Sequence, residues 1–344
     1  MLLPLSWVYG AIVAARNLLY DKRFAQARKV PVPVISVGNI SAGGTGKTPF
    51  VFEMISILQN LGMKPAIVSR GYGRKSKGFQ VVSNGRQKCA EAITAGDEPA
   101  LLAERLRNVP VVVDEKRARG AKKVVELFAP DVIVLDDGFQ HRALFRDCDI
   151  VLMTAEELMG SSFLLPAGYR REPLSSLDRA TVLVVSKCRD LDQFEEAARG
   201  LRRIFQGPII GLRTVVAEIR RFGSEEEAVQ NTLRGKKVIA FSGIADGSSF
   251  ERTLNELDLD ILAHHKFEDH HWYTAGDLAK IGESFRLRGA EVLVTTEKDM
   301  VRLEDGFGHL RQLPFFSVGI RSEIIAGKKE LIQILKSIVK EKGS

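Results

Sequence analysis

Cysteine is scarce and scattered. Cys89, Cys148 and Cys188 stand apart, with no C-x-x-C pair. That spacing indicates neither a cysteine zinc site nor a disulfide framework, and it suits a reducing cytoplasm. Long apolar runs are also missing. Met1–Tyr20 is uncharged only as far as Arg16, short of the roughly 20 apolar residues that a helix needs to span a bilayer. The same stretch lacks the basic start and small-residue cleavage site of a signal peptide. Low-complexity segments and short-period repeats do not stand out. No aromatic stacking platform accompanies the basic clusters, so nucleic acid is not an expected partner.

What is present is a chain of 344 residues, 45% of them hydrophobic, enough for a sizeable core and roughly one to three domains. Fifty basic against 43 acidic residues leave a net charge of +7. That balance suits an anionic substrate or a membrane surface, and equally ordinary solubility.

The stretch Val34–Pro49, VISVGNISAGGTGKTP, organises the rest. Val34–Val37 is an apolar, β-branched run and predicts a buried strand. A glycine-rich turn ends in Gly46-Lys47-Thr48, and Phe50, Val51, Met54, Ile55 and Leu58 then recur at helical spacing. Proline is tolerated in a helix's first turn, so Pro49 fits. Strand, glycine loop, Gly-Lys-Thr and helix make a P-loop, in which backbone N–H groups and a helix N-terminus surround phosphate oxygens. Lys47 is placed to reach the β- and γ-phosphates and the Thr48 hydroxyl to bind Mg²⁺. The strict pattern asks for glycine at position 41, where this chain has Ser41; Gly43 and Gly44 can supply the flexibility.

Around this motif, short apolar runs alternate with helical patterns. Strands are expected at Pro65–Ser69, Gln80–Ser83, Val109–Val113, Val132–Leu135, Ile150–Met153 and Thr181–Val185, with helices at Pro99–Arg107 and Lys116–Phe128. Such alternation argues for a parallel sheet covered on both faces. Near Gln206–Phe222 the pattern changes to two extended segments, Pro208–Leu212 and Thr214–Ile219. A second series follows, with strands at Lys237–Phe241, Asp260–Ala263, Glu291–Thr295 and Pro314–Val318 and helices at Ser248–Leu257, Ala275–Arg288 and Lys328–Lys340. The expected fold is α/β. Residues 31–205 form a P-loop kinase-like parallel sheet with helices on both faces. A β linker, 206–222, joins it to a second, smaller α/β domain, 223–344, whose last strand and helix have room to return toward the linker. Residues 1–30 form a separate N-terminal helix. Trp7, Tyr9 and Tyr20 flank its aliphatic face, and Lys22, Arg23, Arg28 and Lys29 follow. Two readings stand: a helix lying in a membrane interface beside anionic headgroups, or a first helix packed on the core.

The run from Asp131 to His141, DVIVLDDGFQH, is an apolar strand ending in Asp136 and Asp137. A carboxylate at such a strand end in a P-loop enzyme holds Mg²⁺ directly or through water; which of the two faces the ion is not given by sequence. In Gly96-Asp97-Glu98-Pro99 either acid can cap the helix that follows or project into the site, because open α/β sheets place ligands beyond strand C-termini. Phe267–Trp272 contains His270 and His271, adjacent and therefore aimed at different faces. One of them can serve as base or orient one near neutral pH, and a structural role is the commoner fate of a histidine. Arg70, Arg74, Lys75, Arg117, Arg119, Arg170 and Arg171 are either a solvated face or anion contacts.

Taken together, GNISAGGTGKTP, SRGYGR, GDEP, DDGFQHR, PAGYRREP, FSGIA, FEDHHW and TTEKDMVRL make a chain that resembles the tetraacyldisaccharide 4′-kinase (lipid A 4′-kinase) family over nearly its whole length. The resemblance implies transfer of the ATP γ-phosphoryl group to the 4′-hydroxyl of an acylated glucosamine disaccharide 1-phosphate in lipid A biosynthesis, with Mg²⁺. It also implies peripheral attachment to the cytoplasmic face of the inner membrane; a monomer is expected. By residue, it implies nucleotide contacts from Asn39, Ser41, Ala42, Gly43, Gly44, Thr45, Gly46, Lys47 and Thr48. Metal contacts come from Thr48, Asp136, Asp137 and Glu172. Catalytic roles fall to Asp97, His270 and Lys47, and substrate contacts to Tyr72, Arg117, Gln140, His141 and Arg171. The rivals are a membrane-associated P-loop ATPase switch, a GTPase and a soluble small-molecule kinase. The first usually carries a lysine where this chain has Ala42. The Ser186–Asp190 run places its aspartate one position too far for guanine reading. The apolar N-terminus argues against the third.

Overall fold

The computed structural model describes residues 2–159, 163–222, 227–228, 233–303 and 310–340. The amino-terminal section contains α1 (Leu3–Asp21), β1 (Val34–Asn39), α2 (Lys47–Asn60), β2 (Pro65–Ser69), β3 (Gln80–Asn84), α3 (Ala92–Ala95), α4 (Asp97–Arg105), β4 (Pro110–Val113), α5 (Arg117–Phe128), β5 (Val132–Asp136), β6 (Cys148–Thr154), α6 (Ala155–Met159), β7 (Val182–Ser186) and α7 (Leu191–Leu201). The long strand β8 (Ile209–Arg221) follows, and then the short β9 (Glu227–Ala228). The carboxyl-terminal section contains β10 (Lys237–Ser242), α8 (Gly247–Glu256), β11 (Asp260–Lys266), α9 (Ala275–Leu287), β12 (Val292–Thr296), α10 (Glu297–Met300), β13 (Phe315–Ala326) and α11 (Lys328–Lys340).

One mixed sheet carries the strands in the order β11-β10-β12-β13-β8-β7-β6-β1-β5-β2-β4-β3, with β9 on β8. Pairing is parallel on each side of the middle and antiparallel between β13 and β8, between β8 and β9, and at the edge pair β3 and β4. Period-2 burial explains why the strands are apolar throughout. Val132 and Val134 of β5 face the core built with α2, whereas Ile133 and Leu135 face the core built with α5. Both faces are dry, so both registers are hydrophobic.

The expected parallel α/β sheet with helices on both faces is what the chain adopts, with differences at the middle. The two extended segments expected around 208–219 are one strand, β8. The strand expected to end at Val318 runs on to Ala326. Arg213, Arg321 and Glu323 interrupt the apolar pattern, and Arg213 and Glu323 pair across the ribbon at 2.6 Å on its exposed surface. Water rather than a core covers this part, so hydrophobic alternation does not mark it. Helix α11 then packs Leu331 and Leu335 against the core that holds Phe50 and Met54 of α2. Helix α7 was not expected, although Asp190 caps it by accepting from the Gln193 N–H at 2.8 Å.

Helix α1 docks through polar atoms. Ser6 Oγ donates to the Leu164 carbonyl at 2.9 Å, Tyr9 Oη to the Arg171 carbonyl at 3.0 Å, and Asn17 Nδ2 to Glu172 at 2.9 Å. Its buried side chains are Ser6, Val13 and Asn17, while Leu5, Trp7, Val8, Ile12, Leu18 and Leu19 are exposed, Trp7 by 72%. The usual inside-out arrangement is thus reversed. Among the described residues, no helix is long and apolar enough to cross a membrane.

Candidate active site

Strand β1 delivers the chain to the loop at Asn39. Gly38 must be glycine there, because a Cβ would sit 2.6 Å from that of Phe139. The loop is braced on several sides. Asn39 Nδ2 donates to Thr45 Oγ1 at 3.0 Å, the Ala42 N–H to the Tyr169 carbonyl at 2.6 Å, Ser186 Oγ to the Thr45 carbonyl at 2.7 Å, and Gln140 Nε2 to the Asn39 carbonyl at 2.8 Å. Ser41 Oγ donates to Glu157 at 2.7 Å, so its side chain serves the loop's shape. Gly43 and Gly46 have positive φ, 117° and 80°, which glycine adopts without strain. Helix α2 starts at Lys47 with no side-chain cap, the arrangement that leaves first-turn N–H groups for an anion.

Two carboxylates stand at the end of β5 in unlike surroundings. Asp137 lies 3.5 Å from Lys47 Nζ and 3.1 Å from Arg171 Nη1. Burial works against its charge, but Lys47 and Arg171 prevail and hold it below the usual carboxylate range. Its φ of 47° is in the left-handed region, a strained conformation for a non-glycine residue. Asp136 is buried, with one oxygen accepting from Ser69 Oγ at 2.9 Å and the other, Oδ1, without a hydrogen-bond partner. Burial, with Glu98 and Asp137 nearby, pushes its pKa up to about 7. An orphaned buried carboxylate oxygen is what a divalent cation would satisfy. No group of three or more His, Cys, Asp or Glu side chains suited to a metal occurs among the described residues. Mg²⁺ seldom needs one, because it takes one or two carboxylates and completes its shell with water and phosphate oxygens.

Whereas Arg171 reaches Asp137, the Glu172 carboxylate is fully buried and accepts from Asn17, Ser176 and Arg179 at 2.9–3.0 Å. Arg16 lies 3.5 Å away. These three bonds fall on one oxygen, Oε2, and tie α1 to the site, while the other oxygen, Oε1, has no hydrogen-bond partner.

Arg117 is buried at the start of α5. Burial pulls its pKa down to about 10, against the pull of Asp137 and Asp136, and its Nε has no hydrogen-bond partner. His141, beside these groups, is pushed down to about 4 by burial and by Arg117, Arg146, Arg70 and Arg16. It is therefore neutral near pH 7. Tyr72 is exposed, with its ring centroid 5.2 Å from that of His270.

The third group joins the two sections. Gly96, at φ 92°, permits a close turn against the Tyr72 carbonyl, and α4 starts at Asp97. One Asp97 oxygen accepts from the Glu98 N–H at 2.9 Å, and the other meets His270 Nδ1 at 2.8 Å. Helix α4 has Gly96 at its N-cap and no side-chain cap, so Asp97 is its first residue and not its cap. His270 sits at a left-handed φ of 62°, while His271 turns away, stacks on Phe267 and binds Asp277 at 3.0 Å. Burial opposes the charge of Asp97, but the His270 hydrogen bond, Lys298 and Arg302 overcome it and lower the pKa to about 2. Lys298 and Arg302 carried no assigned role in the sequence reading. The signal was the run of charges Glu297-Lys298-Asp299 and Arg302 directly after the apolar strand β12.

A phosphate-cradling loop backed by strand-end carboxylates, on a doubly covered α/β sheet, defines a P-loop enzyme of the phosphoryl-transfer class. A family model described as tetraacyldisaccharide-1-P 4′-kinase matches residues 1–340. The tetraacyldisaccharide 4′-kinase of Chlorobium luteolum is 38% identical over 99% of this chain and 98% of its own length. That of Anaeromyxobacter dehalogenans is 40% identical over 86% of this chain and 79% of its own. The crystal structure of LpxK from Aquifex aeolicus in complex with ATP has a TM-score of 0.79 and 34% identity, covering 98% of each chain. The chain belongs to the tetraacyldisaccharide-1-P 4′-kinase family.

Proposed function

We propose that this enzyme transfers the γ-phosphoryl group of ATP to the 4′-hydroxyl of a tetraacylated glucosamine disaccharide 1-phosphate, a step of lipid A biosynthesis. The observation that carries the reading is the contact of Asp97 with His270, which sets a carboxylate–histidine pair from the two sections of the chain beside a P-loop. The loop and Lys47 would hold the triphosphate. Thr48, Asp136 and Asp137 would hold Mg²⁺, which when bound neutralises charge on the phosphates. Lys47 and Arg171 already face Asp137, so both cations are placed to follow the transferred group once nucleotide separates them from that carboxylate. As the new O–P bond forms and the bond to the ADP oxygen breaks, the hydroxyl proton must leave. Asp97, ionised and held by His270, would receive it, with His270 orienting the carboxylate or sharing the proton. Tyr72, Arg117, Gln140, His141 and Arg171 surround the loop and the carboxylates and would contact substrate or nucleotide.

The outward face of α1 supports peripheral attachment to the inner membrane. Leu5, Trp7, Val8, Ile12, Leu18 and Leu19 are exposed there, and an apolar helix face flanked by basic residues partitions into a headgroup region. The β8–β13 ribbon supports reading two lobes that close over the substrates. ATP consumption measured with and without the acylated disaccharide phosphate, with the product's phosphate position assigned by NMR, tests the function. Consumption that is independent of the lipid, or a product without a 4′-phosphate, would contradict it.

A further inference from the structure

The segment after β12 is a dense charged cluster that the reaction as described does not use. Asp299 is fully buried. It accepts from the Gly243 N–H at 2.9 Å and Tyr273 Oη at 2.7 Å, and it pairs with Arg302 at 3.1 Å. Arg302, itself buried, donates from Nη1 to the Gly243 carbonyl at 2.8 Å and to the His271 carbonyl at 3.3 Å, and its Nε lies 3.4 Å from Asp97 Oδ2. Lys298 Nζ lies 3.3 Å from Glu98, 3.7 Å from Asp269 and 3.8 Å from the same Asp97 Oδ2. One carboxylate oxygen of the amino-terminal section thus faces His270, Lys298 and Arg302, all from the carboxyl-terminal section.

We propose that Lys298 and Arg302 are positioning residues for phosphoryl transfer: two cations that keep the Asp97 carboxylate ionised and aimed, and that do so only when the two sections of the chain meet. The proposal rests on Asp97 being the base. A carboxylate removed from water without cations at hand takes up a proton rather than keep its charge. Arg302 also fixes the turns that carry His270 and His271, through Gly243 and the His271 carbonyl, so the same side chain sets the direction of the histidine and the charge of its partner. The charged and titratable groups facing Asp97 are His270 on the histidine turn and Lys298 and Arg302 on the segment after β12, and these in turn pair with Asp269, with Glu98 and with Asp299. Of the two cations, Lys298 is the one partly open to water and replaceable without opening the core.

The test is the pH dependence of kcat and of kcat/KM for the lipid acceptor in the full-length enzyme, Lys298→Ala and Lys298→Arg, with Asp97→Ala alongside. Loss of a cation within about 4–6 Å raises a carboxylate pKa by roughly 1 unit or more. The Lys298→Ala enzyme is therefore expected to lose kcat about tenfold, to keep its KM for ATP within about twofold, and to show the acid-side fall of kcat/KM at higher pH by about one unit. Lys298→Arg should restore both the rate and the profile. An unmoved acid limb overturns the proposal, whether kcat is unchanged or falls, since a fall alone reports packing. Arg302→Lys, which keeps a cation in the buried position, should move the limb less than Lys298→Ala; a larger shift also overturns it. A full-rate Asp97→Ala enzyme would instead remove the base reading on which the proposal stands, whereas a crippled Asp97→Ala beside a normal Lys298→Ala removes the proposal alone.

Discussion

Asp97 and Asp136 are the same residue type, both buried, yet their surroundings move their pKa values in opposite directions. Asp136 has a serine hydroxyl on one oxygen and nothing on the other, and its pKa rises to about 7. Asp97 has a histidine, a lysine and an arginine around one oxygen, and its pKa falls to about 2. Burial acts in the same direction on both, so the cations decide the outcome. The pair teaches a division of labour. On the proposed reading, Asp136 would await a cation that arrives with the nucleotide. Asp97 has its cations built in, supplied by the other section of the chain, and on the proposed reading would accept a proton only with those cations in place.

The largest effect that sharpens this comparison lies at the cation shared with nucleotide. Lys47→Ala should lower kcat by about 10³-fold, because the developing phosphoryl charge loses a fixed positive group. Circular dichroism should be unchanged, and near-normal turnover in that folded variant would break the P-loop reading. His270→Ala should lower kcat by roughly 10²-fold or more with little change in ATP affinity. If Asp97 and His270 act as one unit, the double variant should be barely slower than the slower single one; losses that multiply would show independent action.

A smaller effect probes the two charge states through stability. For Asp136 the folded value, about 7, lies above the unfolded one, so the folded protein binds that proton more tightly and ionising it at higher pH costs stability. Asp136→Asn should therefore raise the Tm of metal-free protein at pH 8 by roughly 2–5 °C. For Asp97 the sign is reversed. Its folded value, about 2, lies below the model-peptide value of 3.8, so it stabilises the fold above about pH 4 and the gain is lost as pH falls toward 2. Asp97→Asn should lower the Tm at pH 7. Equal shifts of one sign from the two variants would erase the contrast. The smallest effect is at the membrane. Ile12→Asp, on the outward face of α1, should weaken co-sedimentation with anionic vesicles about tenfold and leave the Tm unchanged. A lower Tm would place Ile12 in the core.

Local patterns made half of this architecture readable. The apolar runs at Val34–Val37 and Val132–Leu135 are buried on both faces, so composition alone marks them as strands, and Gly46-Lys47-Thr48 and Asp136-Asp137 follow at their ends. What sequence did not carry is long-range. Asp97 and His270 meet across 173 positions, and no spacing rule joins them. Lys298 and Arg302 reach Asp97 only because β12 ends beside α4's first turn. The bond of Glu172 to Asn17 on α1, 155 positions away, is likewise beyond any local pattern. In α1 the apolar residues gave an ambiguous pattern, and the polar Ser6 and Asn17, by docking, decide which face is left outside.

The most direct test is acceptor phosphorylation by the Asp97→Ala enzyme with ATP binding measured on the same sample. Asp97 is held by cations of the protein, and on the proposed reading it takes no part in binding the triphosphate. Its loss should leave the Kd for ATP within about twofold while the transfer of labelled γ-phosphate to the tetraacylated disaccharide phosphate falls by roughly 10²–10⁴-fold. Transfer at the wild-type rate, or a loss explained wholly by weaker ATP binding, would contradict the account.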